Sequence, residues 1–435
     1  MEKGRVALIT LGCKVNQYES EAIAEAFEAR GFVLASPDGI CDAYVINTCT
    51  VTAESDRKAR QAIRRAATLN PQAAILVTGC LAQSHPEDVA RIRGVDYICG
   101  SRNKLSVVTA AEHVLANGKP QSACIDVPAL ESTPFEPMCI THFERTRAYV
   151  KIEDGCENRC SYCAIPAARG PVCSKPTDKI VREVEGLIRG GCREVVLTGI
   201  ETASYGRDLE NTSLIALLEA VDTIEGDFRI RLGSLDPSLM KEDFVTRAAR
   251  LTHLAPHFHL SIQSGSSRIL AAMRRKYNRN MALDGIKHLR EAMPCVELTA
   301  DFIVGFPGED AEDFADTVAF AEEAAFLQMH VFAYSRREGT PAAAMASQID
   351  TQTKKERSAA LIAKGQALRR SRQERALLTP ARTVLFESFE NGIAVGHTDN
   401  FLEVGVCSPV PLHGQMLRVQ LTGIENDRLF AALER

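Results

Sequence analysis

Residues 154–170 read DGCENRCSYCAIPAARG and follow directly on the strand-like run RAYVKIE (147–153). Cys156, Cys160 and Cys163 are spaced Cys-x3-Cys-x2-Cys, with Tyr162 immediately before the last. A loop after the first strand of a β/α series lies at the carboxyl face of a barrel, where active-site loops gather. Three thiolates there admit two readings. With a fourth cysteine such as Cys173 they close a tetrahedral zinc site. Alone, they bind three irons of a cubane [4Fe–4S] cluster and leave the fourth iron open to a ligand.

Downstream, strand-period and helix-period segments alternate from TDKIVREVEGLIRG and REVVLTG through to QMHVFAYS and the long basic segment after it. They make six strand-plus-helix units, short of the eight that close a full barrel, so an open, partial (βα)6 TIM-like barrel is expected. After Arg375 short alternating strands take over, with ENG and END as hairpin turns. About five strands in about sixty residues make a small all-β barrel. Upstream, the first 116 residues also alternate β with α: RVALITL, DAYVINT, AAILVTG and VDYICG each precede a helical stretch. This predicts an open parallel sheet covered by helices. Asn117–Arg145, rich in Pro and Gly and without periodicity, reads as a linker. The expected chain is therefore α/β with three domains, 1–120, 140–375 and 376–435.

In the first domain Cys13, Cys49 and Cys80 each stand just past the end of a strand. Strand ends of an open α/β sheet line one crevice, where ligands bind. Three buried thiols would also satisfy the pattern, but the same placement three times favours a ligand set.

With 45% apolar and 25% charged residues the composition is that of a soluble globular protein. The N-terminal apolar run, Val6 to Leu11, is too short for a secretory signal, and no window reaches the length of a membrane span. A cytoplasmic protein without a membrane partner is expected. Fourteen cysteines in such a chain are not a disulfide framework. A net charge of −5 excludes a global basic field, so any nucleic-acid contact is local. Candidates are RKARQAIRR (57–65), RRKYNR (274–279) and residues 354–375, where eight basic residues face two acidic ones. Each is equally a solvated helix face.

The Cys-x3-Cys-x2-Cys loop on a partial barrel resembles the radical S-adenosylmethionine (SAM) enzymes. The resemblance covers nearly the whole chain in the methylthiotransferase family of that group. TLGCKVNQYESE, VINTCTVT and VTGCLAQ look like the family's N-terminal motifs, which hold an auxiliary [4Fe–4S] cluster. GCENRCSYCAIPAARGP, LTGIETASYG, HLSIQSGS and DFIVGFPGE look like its barrel motifs. The tail from about Leu377 resembles a TRAM domain, an OB-like barrel that grips RNA. The resemblance implies two [4Fe–4S] clusters, on Cys13, Cys49 and Cys80 and on Cys156, Cys160 and Cys163. SAM occupies the open iron of the second, whose electron cleaves it to methionine and a 5′-deoxyadenosyl radical. By the same resemblance Thr198, Gly199 and Ile200 bind the methionine end of SAM, Ser234 and Asp236 its ribose, and Gly305 and Gly308, within the turn to Glu309, its adenine. Many members have Glu-Pro where this chain has Asp236-Pro237.

The family divides by substrate, and TLGCKVNQYESE with HVFAYSRREGTPAA resembles the branch that acts on N6-threonylcarbamoyladenosine beside the tRNA anticodon. The isopentenyladenosine branch reads Tyr-Gly-Cys-Gln-Met-Asn at the first motif and the ribosomal-protein branch Leu-Gly-Cys-Pro-Lys-Asn. The implied partners are the tRNA anticodon arm, an electron donor such as a flavodoxin or ferredoxin system, and a sulfur source. The hydrogen on adenine carbon 2 is beyond general acid–base chemistry, so the cofactors carry the hard step and no side chain is expected as a catalytic acid or base. The threonine carboxylate calls for a cation; Arg57, Lys58, Arg274 and Arg275 are the candidates from charge and loop position. Two other functions fit the residues: thiolation of a ribosomal-protein aspartate, and a non-enzymatic RNA-binding protein with structural zinc or iron–sulfur sites.

Overall fold

The computed structural model describes residues 3–143 and 145–434; Met1, Glu2, Glu144 and Arg435, inside the three expected domain spans, lie outside the described residues. The N-terminal layer runs β1 (Arg5–Thr10), α1 (Lys14–Ala29), β2 (Val33–Leu34), β3 (Ala43–Thr48), α2 (Ala53–Leu69), β4 (Ala74–Gly79), α3 (Cys80–Ser84), α4 (Pro86–Ala90), β5 (Tyr97–Cys99), α5 (Ser106–Asn117) and β6 (Cys124–Asp126). Its six strands form one parallel sheet in the order β2-β1-β3-β4-β5-β6. β3 and β4 are buried along their whole length. Helices on both faces explain why these two strands read as continuous runs.

The segment 117–145 is not a free linker. Its three residues Cys124–Asp126 extend the sheet by pairing with β5, and Leu130, Met138 and Ile140 are buried. A strand this short carries no periodicity; the open edge of β5 induces it.

The central part runs β7 (Ala148–Lys151), β8 (Glu153–Asp154), α6 (Ile165–Arg169), β9 (Cys173–Ser174), α7 (Thr177–Arg189), β10 (Glu194–Thr198), α8 (Leu214–Asp222), β11 (Arg229–Leu232), β12 (Ser234–Leu235), α9 (Glu242–Ala248), β13 (His257–Gln263), α10 (Ser267–Ala272), α11 (Arg279–Ala292), β14 (Glu297–Val304), α12 (Ala311–Ala324), β15 (Gln328–Ala333) and α13 (Thr351–Ala376). The parallel order is β7-β10-β11, then, across Gly233, β12-β13-β14-β15. This is the open arc of six units that the periodicity predicts. α7 shows why the helices lie outside it: Ile180, Val184 and Leu187 recur on one face and are fully buried. Each such side chain contributes about 1.5–3 kcal/mol. The Cys-x3-Cys-x2-Cys loop joins β8 to α6.

The tail forms a closed barrel, β16 (Ala381–Glu390), β17 (Ile393–Thr398), β18 (Glu403–Cys407), β19 (Met416–Glu425) and β20 (Arg428–Leu433), in the order β16-β17-β18-β20-β19. Asn391 of ENG and Asn426 and Asp427 of END adopt positive φ, as tight hairpins require. The barrel is fixed to the arc by buried charges. Glu194 on β10 takes Arg147, Arg229 and Arg231. Arg229 Nη2 donates to His397 O at 2.9 Å, and Arg147 pairs with Glu387. Phe401 stacks against His257 and His397, with ring centroids 4.3 and 4.8 Å apart, and the Arg147 and Arg231 guanidiniums lie 5.4 and 5.0 Å from its ring.

Candidate functional site

Cys13 caps α1, Cys49 directly follows β3, and Cys80 opens α3 directly after β4. Two glycines allow these turns to close on one another. At Gly12 (φ +106°) an added Cβ would lie 2.8 Å from Cys49 Cβ and 3.0 Å from its Sγ. At Gly79 (φ +95°) it would collide with the Thr48 carbonyl oxygen and lie 2.6 Å from Thr48 N. Gly79→Ala therefore combines left-handed strain with a backbone clash, and we expect it to destabilise the protein by at least about 2 kcal/mol. A urea midpoint within error of wild type would refute this.

The three thiols sense each other. Burial pushes Cys49 up to about 11, with further contributions from Cys80 and Cys13; Cys13 is raised by burial, offset by Arg169 and reinforced by Cys80. Arg169 Nε donates to Cys80 Sγ at 3.2 Å. Its other nitrogens reach Glu19 Oε1 at 2.6 Å and Asn16 Oδ1 at 2.7 Å. Asn16 Nδ2 in turn donates to the carbonyls of Leu11 and Thr48, tying together the turns that carry Cys13 and Cys49. Glu19 also pairs with Lys104 and Lys151, and Asp154 with Lys151 and Arg169. Three buried cations thus face Glu19 and Asp154, with Glu136 acting on the two lysines, and the Arg169 guanidinium abuts Cys80, where it would favour a thiolate.

The thiols of the second trio also act on one another. Cys156 is pushed up to about 12 by burial, then by Glu201, with Cys163 and Cys160 adding; Cys163 is pushed up to about 11 by burial and by Cys160. Arg275 Nη1 donates to Cys160 Sγ at 3.2 Å, and its Nη2 to Asp236 Oδ2 at 2.8 Å. Cys173 does not join them: the charges acting most strongly on it are Arg102, Asp208, Asp154 and Lys151. A closed four-cysteine zinc site has no support in this arrangement, whereas three cysteines of one loop, with an arginine donating to one, fit an open-iron cluster.

Polar atoms beside this loop want a ligand. Glu201, directly after Ile200, has its pKa raised to about 7 by burial and then by Asp236. Its Oε2 accepts from Asn158 Nδ2 at 3.1 Å. Its Oε1, Asn158 Oδ1 and Thr202 Oγ1 are buried without partners. The sequence reading stopped one residue short of Glu201, and a carboxylate at the end of β10 was the available signal.

A cavity of about 780 Å³ opens beside Cys13. It is lined by Cys13 of the first trio and by Thr198, Gly199 and Ser234 of the expected SAM residues. Asp236 is instead held by Arg275, and Ser238 N donates to its other carboxylate oxygen. Gly305 and Gly308 belong to a turn clamped by α13: Gly305 N donates to Glu309 Oε1 at 2.9 Å, and Arg357 pairs with Glu309. The four cation candidates are also elsewhere. Arg57 and Lys58 are exposed on α2, with Arg57 paired to Glu54; Arg274 is exposed at φ 59°; Arg275 is committed to Cys160 and Asp236. None of the four lines the cavity.

The cations that do line it are Lys14, Arg147, Arg231 and Arg369. Its inner wall carries a hydrogen-bonded row. His257 Nε2 and His259 Nδ1 lie 3.0 and 2.8 Å from Thr299 Oγ1, and His259 Nε2 lies 3.1 Å from Asp301 Oδ2. One proton assignment satisfies all three contacts: His257 donates to Thr299, Thr299 to His259, and His259 to Asp301. His330 completes a His259–Asp301–His330 group. Burial and then Arg231 hold His257 well below its usual range, so it is neutral. Sequence reading missed this row, although HFHLSIQ places His257 and His259 on the same strand face.

Comparison with known proteins agrees with this architecture. The Radical SAM superfamily profile matches residues 150–321, and that of the Uncharacterized protein family UPF0004 matches residues 5–100. A Threonylcarbamoyladenosine tRNA methylthiotransferase MtaB of Bacillus subtilis is 38% identical over 422 residues, covering 96% of this chain and 93% of that protein. A tRNA-2-methylthio-N(6)-dimethylallyladenosine synthase of Natranaerobius thermophilus is 35% identical over 375 residues, covering 84% and 82%. Among solved structures, the radical S-adenosylmethionine methyltransferase TsrM from Kitasatospora setae superposes with a TM-score of 0.58 at 15% identity, covering 79% of this chain and 77% of that one, a likeness of fold. Identity at this level over nearly the whole chain, together with the Radical SAM match and two trios of cysteines at strand ends, places the chain in the methylthiotransferase family of radical SAM enzymes.

Proposed function

We propose that this enzyme transfers a methylthio group to carbon 2 of N6-threonylcarbamoyladenosine at position 37 of tRNA, beside the anticodon. The observation that carries the reading is the cavity, which joins Cys13 to Thr198, Gly199 and Ser234 and is walled by charged and hydrogen-bonding side chains. An isopentenyl group would be received by apolar side chains. His257, His259, Thr299, Asp301 and His330 suit a urea, a hydroxyl and a carboxylate instead.

On this reading the three spans 1–120, 140–375 and 376–435 are a methylthiotransferase domain, a radical SAM core and a TRAM domain. Cys13, Cys49 and Cys80 hold one [4Fe–4S] cluster and Cys156, Cys160 and Cys163 a second. Bound there, the clusters and SAM supply the methyl group, the sulfur and the radical that replace the carbon-bound hydrogen. The chain's own residues do the placing. Thr198, Gly199, Ile200 and Ser234 form the strand-end floor under SAM, and Glu201, with one free carboxylate oxygen, faces its cationic groups. Asp236, Gly305 and Gly308 act behind this floor, through Arg275 and Glu309. Arg169 and Arg275 donate to cluster cysteines, which stabilises thiolate over thiol. The tail and α1 close the cavity and exclude water from the reacting base.

The anticodon arm is held by phosphate contacts. Much of the basic helix α13 is spent internally, since Arg357, Lys364 and Arg372 pair with Glu309, Glu322 and Glu297. On α2, Lys58, Arg60 and Arg64 have no ion pair among the described residues, and we assign the backbone contact to that face together with the terminal barrel. A flavodoxin- or ferredoxin-type donor and a sulfur source complete the reaction in the cytoplasm. No helix among the described residues is long and apolar enough to cross a membrane.

Mass spectrometry of tRNA nucleosides from cells with and without the gene tests this. Deletion should remove 2-methylthio-N6-threonylcarbamoyladenosine and accumulate its unthiolated precursor. An unchanged tRNA profile would overturn the substrate and redirect the search to ribosomal proteins.

A further inference from the structure

Resting on that reading of the substrate, we infer that Lys14, with the free Nη1 of Arg231, forms the seat that reads the threonine carboxylate and so sets the choice of modified base. Three observations carry this. First, Lys14 lines the cavity and has no hydrogen bond or ion pair among the described residues. Second, it stands within the field of other cations. Lys14, Arg147 and Arg231 line the lumen, and Arg229 shares Glu194 with the two arginines; against these four cations stand Glu194, Glu387 and Asp301, the last also in contact with His259, so one positive charge is left over. Arg231 is buried, and its Nη1 has no partner. Lys14 is exposed and Arg231 buried, so water screens their repulsion only in part, and an entering anion removes what remains. Third, Lys14 adjoins Cys13 in the chain, while its field reaches His257 and His330 across the lumen. Adenine presents N6, N1 and carbon 2 along one edge, so a carboxylate hung on N6 lies on the side of the reacting carbon.

The other unpaired cation lining the cavity, Arg369 on α13, is not among the charges that act most strongly on that row. A divalent metal on His259, Asp301 and His330 would add positive charge where cations are already in excess. An anionic ligand removes that excess.

The test uses anticodon stem-loops carrying adenosine, N6-threonylcarbamoyladenosine or its methyl ester at position 37. Binding to reconstituted wild type, Lys14→Gln and Lys14→Arg is measured at fixed salt. Wild type should bind the acid about 10- to 100-fold more tightly than the neutral ester, the range for a charge-assisted contact. Lys14→Gln should bring the acid-to-ester ratio near one without changing affinity for the adenosine stem-loop, and Lys14→Arg should restore most of the ratio. Because Lys14 adjoins Cys13, iron content is measured in parallel and the ratios are read again on iron-stripped proteins. A wild type that binds adenosine and the modified acid equally would sink the substrate reading itself. A wild type that prefers the acid to adenosine but treats acid and ester alike, or a Lys14→Gln protein that keeps the wild-type ratio, would sink the role of Lys14 alone.

Discussion

On the two-cluster reading, replacing Cys160 by Ala should abolish reductive cleavage of SAM, whereas Cys49→Ala should leave cleavage in place and abolish methylthiolation. The reason is the separation of the two trios. Cys160 belongs to the loop after β8 and accepts from Arg275, whose other nitrogen holds Asp236. Its loss would open a second iron position of the proposed cluster and leave a buried guanidinium without its sulfur partner, so that cluster should not be retained. Cys49 lies at the end of β3, in the field of Cys13 and Cys80. Its loss leaves the second loop untouched. Chromatography of 5′-deoxyadenosine and mass spectrometry of the nucleoside product report the two steps separately. Equal loss of cleavage in both variants, with intact folding, would refute the division of labour.

Arg169→Met should cost about 3–5 kcal/mol of stability, the range for removing one partner of a buried ion cluster. Arg169 is fully buried and serves Glu19 and Asn16 of α1, Asp154 of β8 and Cys80 of α3 at once. Without it Glu19 retains Lys104 and Lys151, but Asp154 keeps only Lys151, and Asn16 loses the contact that steadies two cysteine turns. If each trio holds a cluster as proposed, the N-terminal one should lose its iron while the other keeps it, roughly halving iron per chain. Arg169→Lys should not rescue it, because one ammonium cannot reproduce a forked guanidinium spread over four partners. Arg182→Met is the control: its pair with Asp178 is exposed and worth less than about 1 kcal/mol. If Arg169→Met unfolds in urea at the midpoint of Arg182→Met, the network does not hold the two layers together.

The parts of the fold that were legible are those that repeat. Six strand–helix units and three strand-end cysteines show in the sequence because period 2, period 3.6 and a strand's last residue are local properties. β6 was hidden because Cys124–Asp126 is a strand only by virtue of its neighbour. The cations that line the cavity are not those the basic runs suggest, for a related reason. Runs such as residues 57–65 and 274–279 draw attention by density, yet Arg57 and Arg65 pair with Glu54 and Asp38, and Arg275 is consumed by Cys160 and Asp236. Lys14, single and inside a cysteine motif, has no local sign of its freedom. Pairing across the fold decides which charges remain available, and a linear sequence does not display it.

The stacking of Phe401 between His257 and His397 bears on how such enzymes can be recombined. His397, Phe401, Leu402 and Glu403 of the tail line the same cavity as Cys13 and Thr198. The last sixty residues are thus not an exchangeable handle for RNA. A chimera given the tail of a relative with another substrate inherits a foreign floor beneath its own lumen, and descent must alter tail and barrel in step.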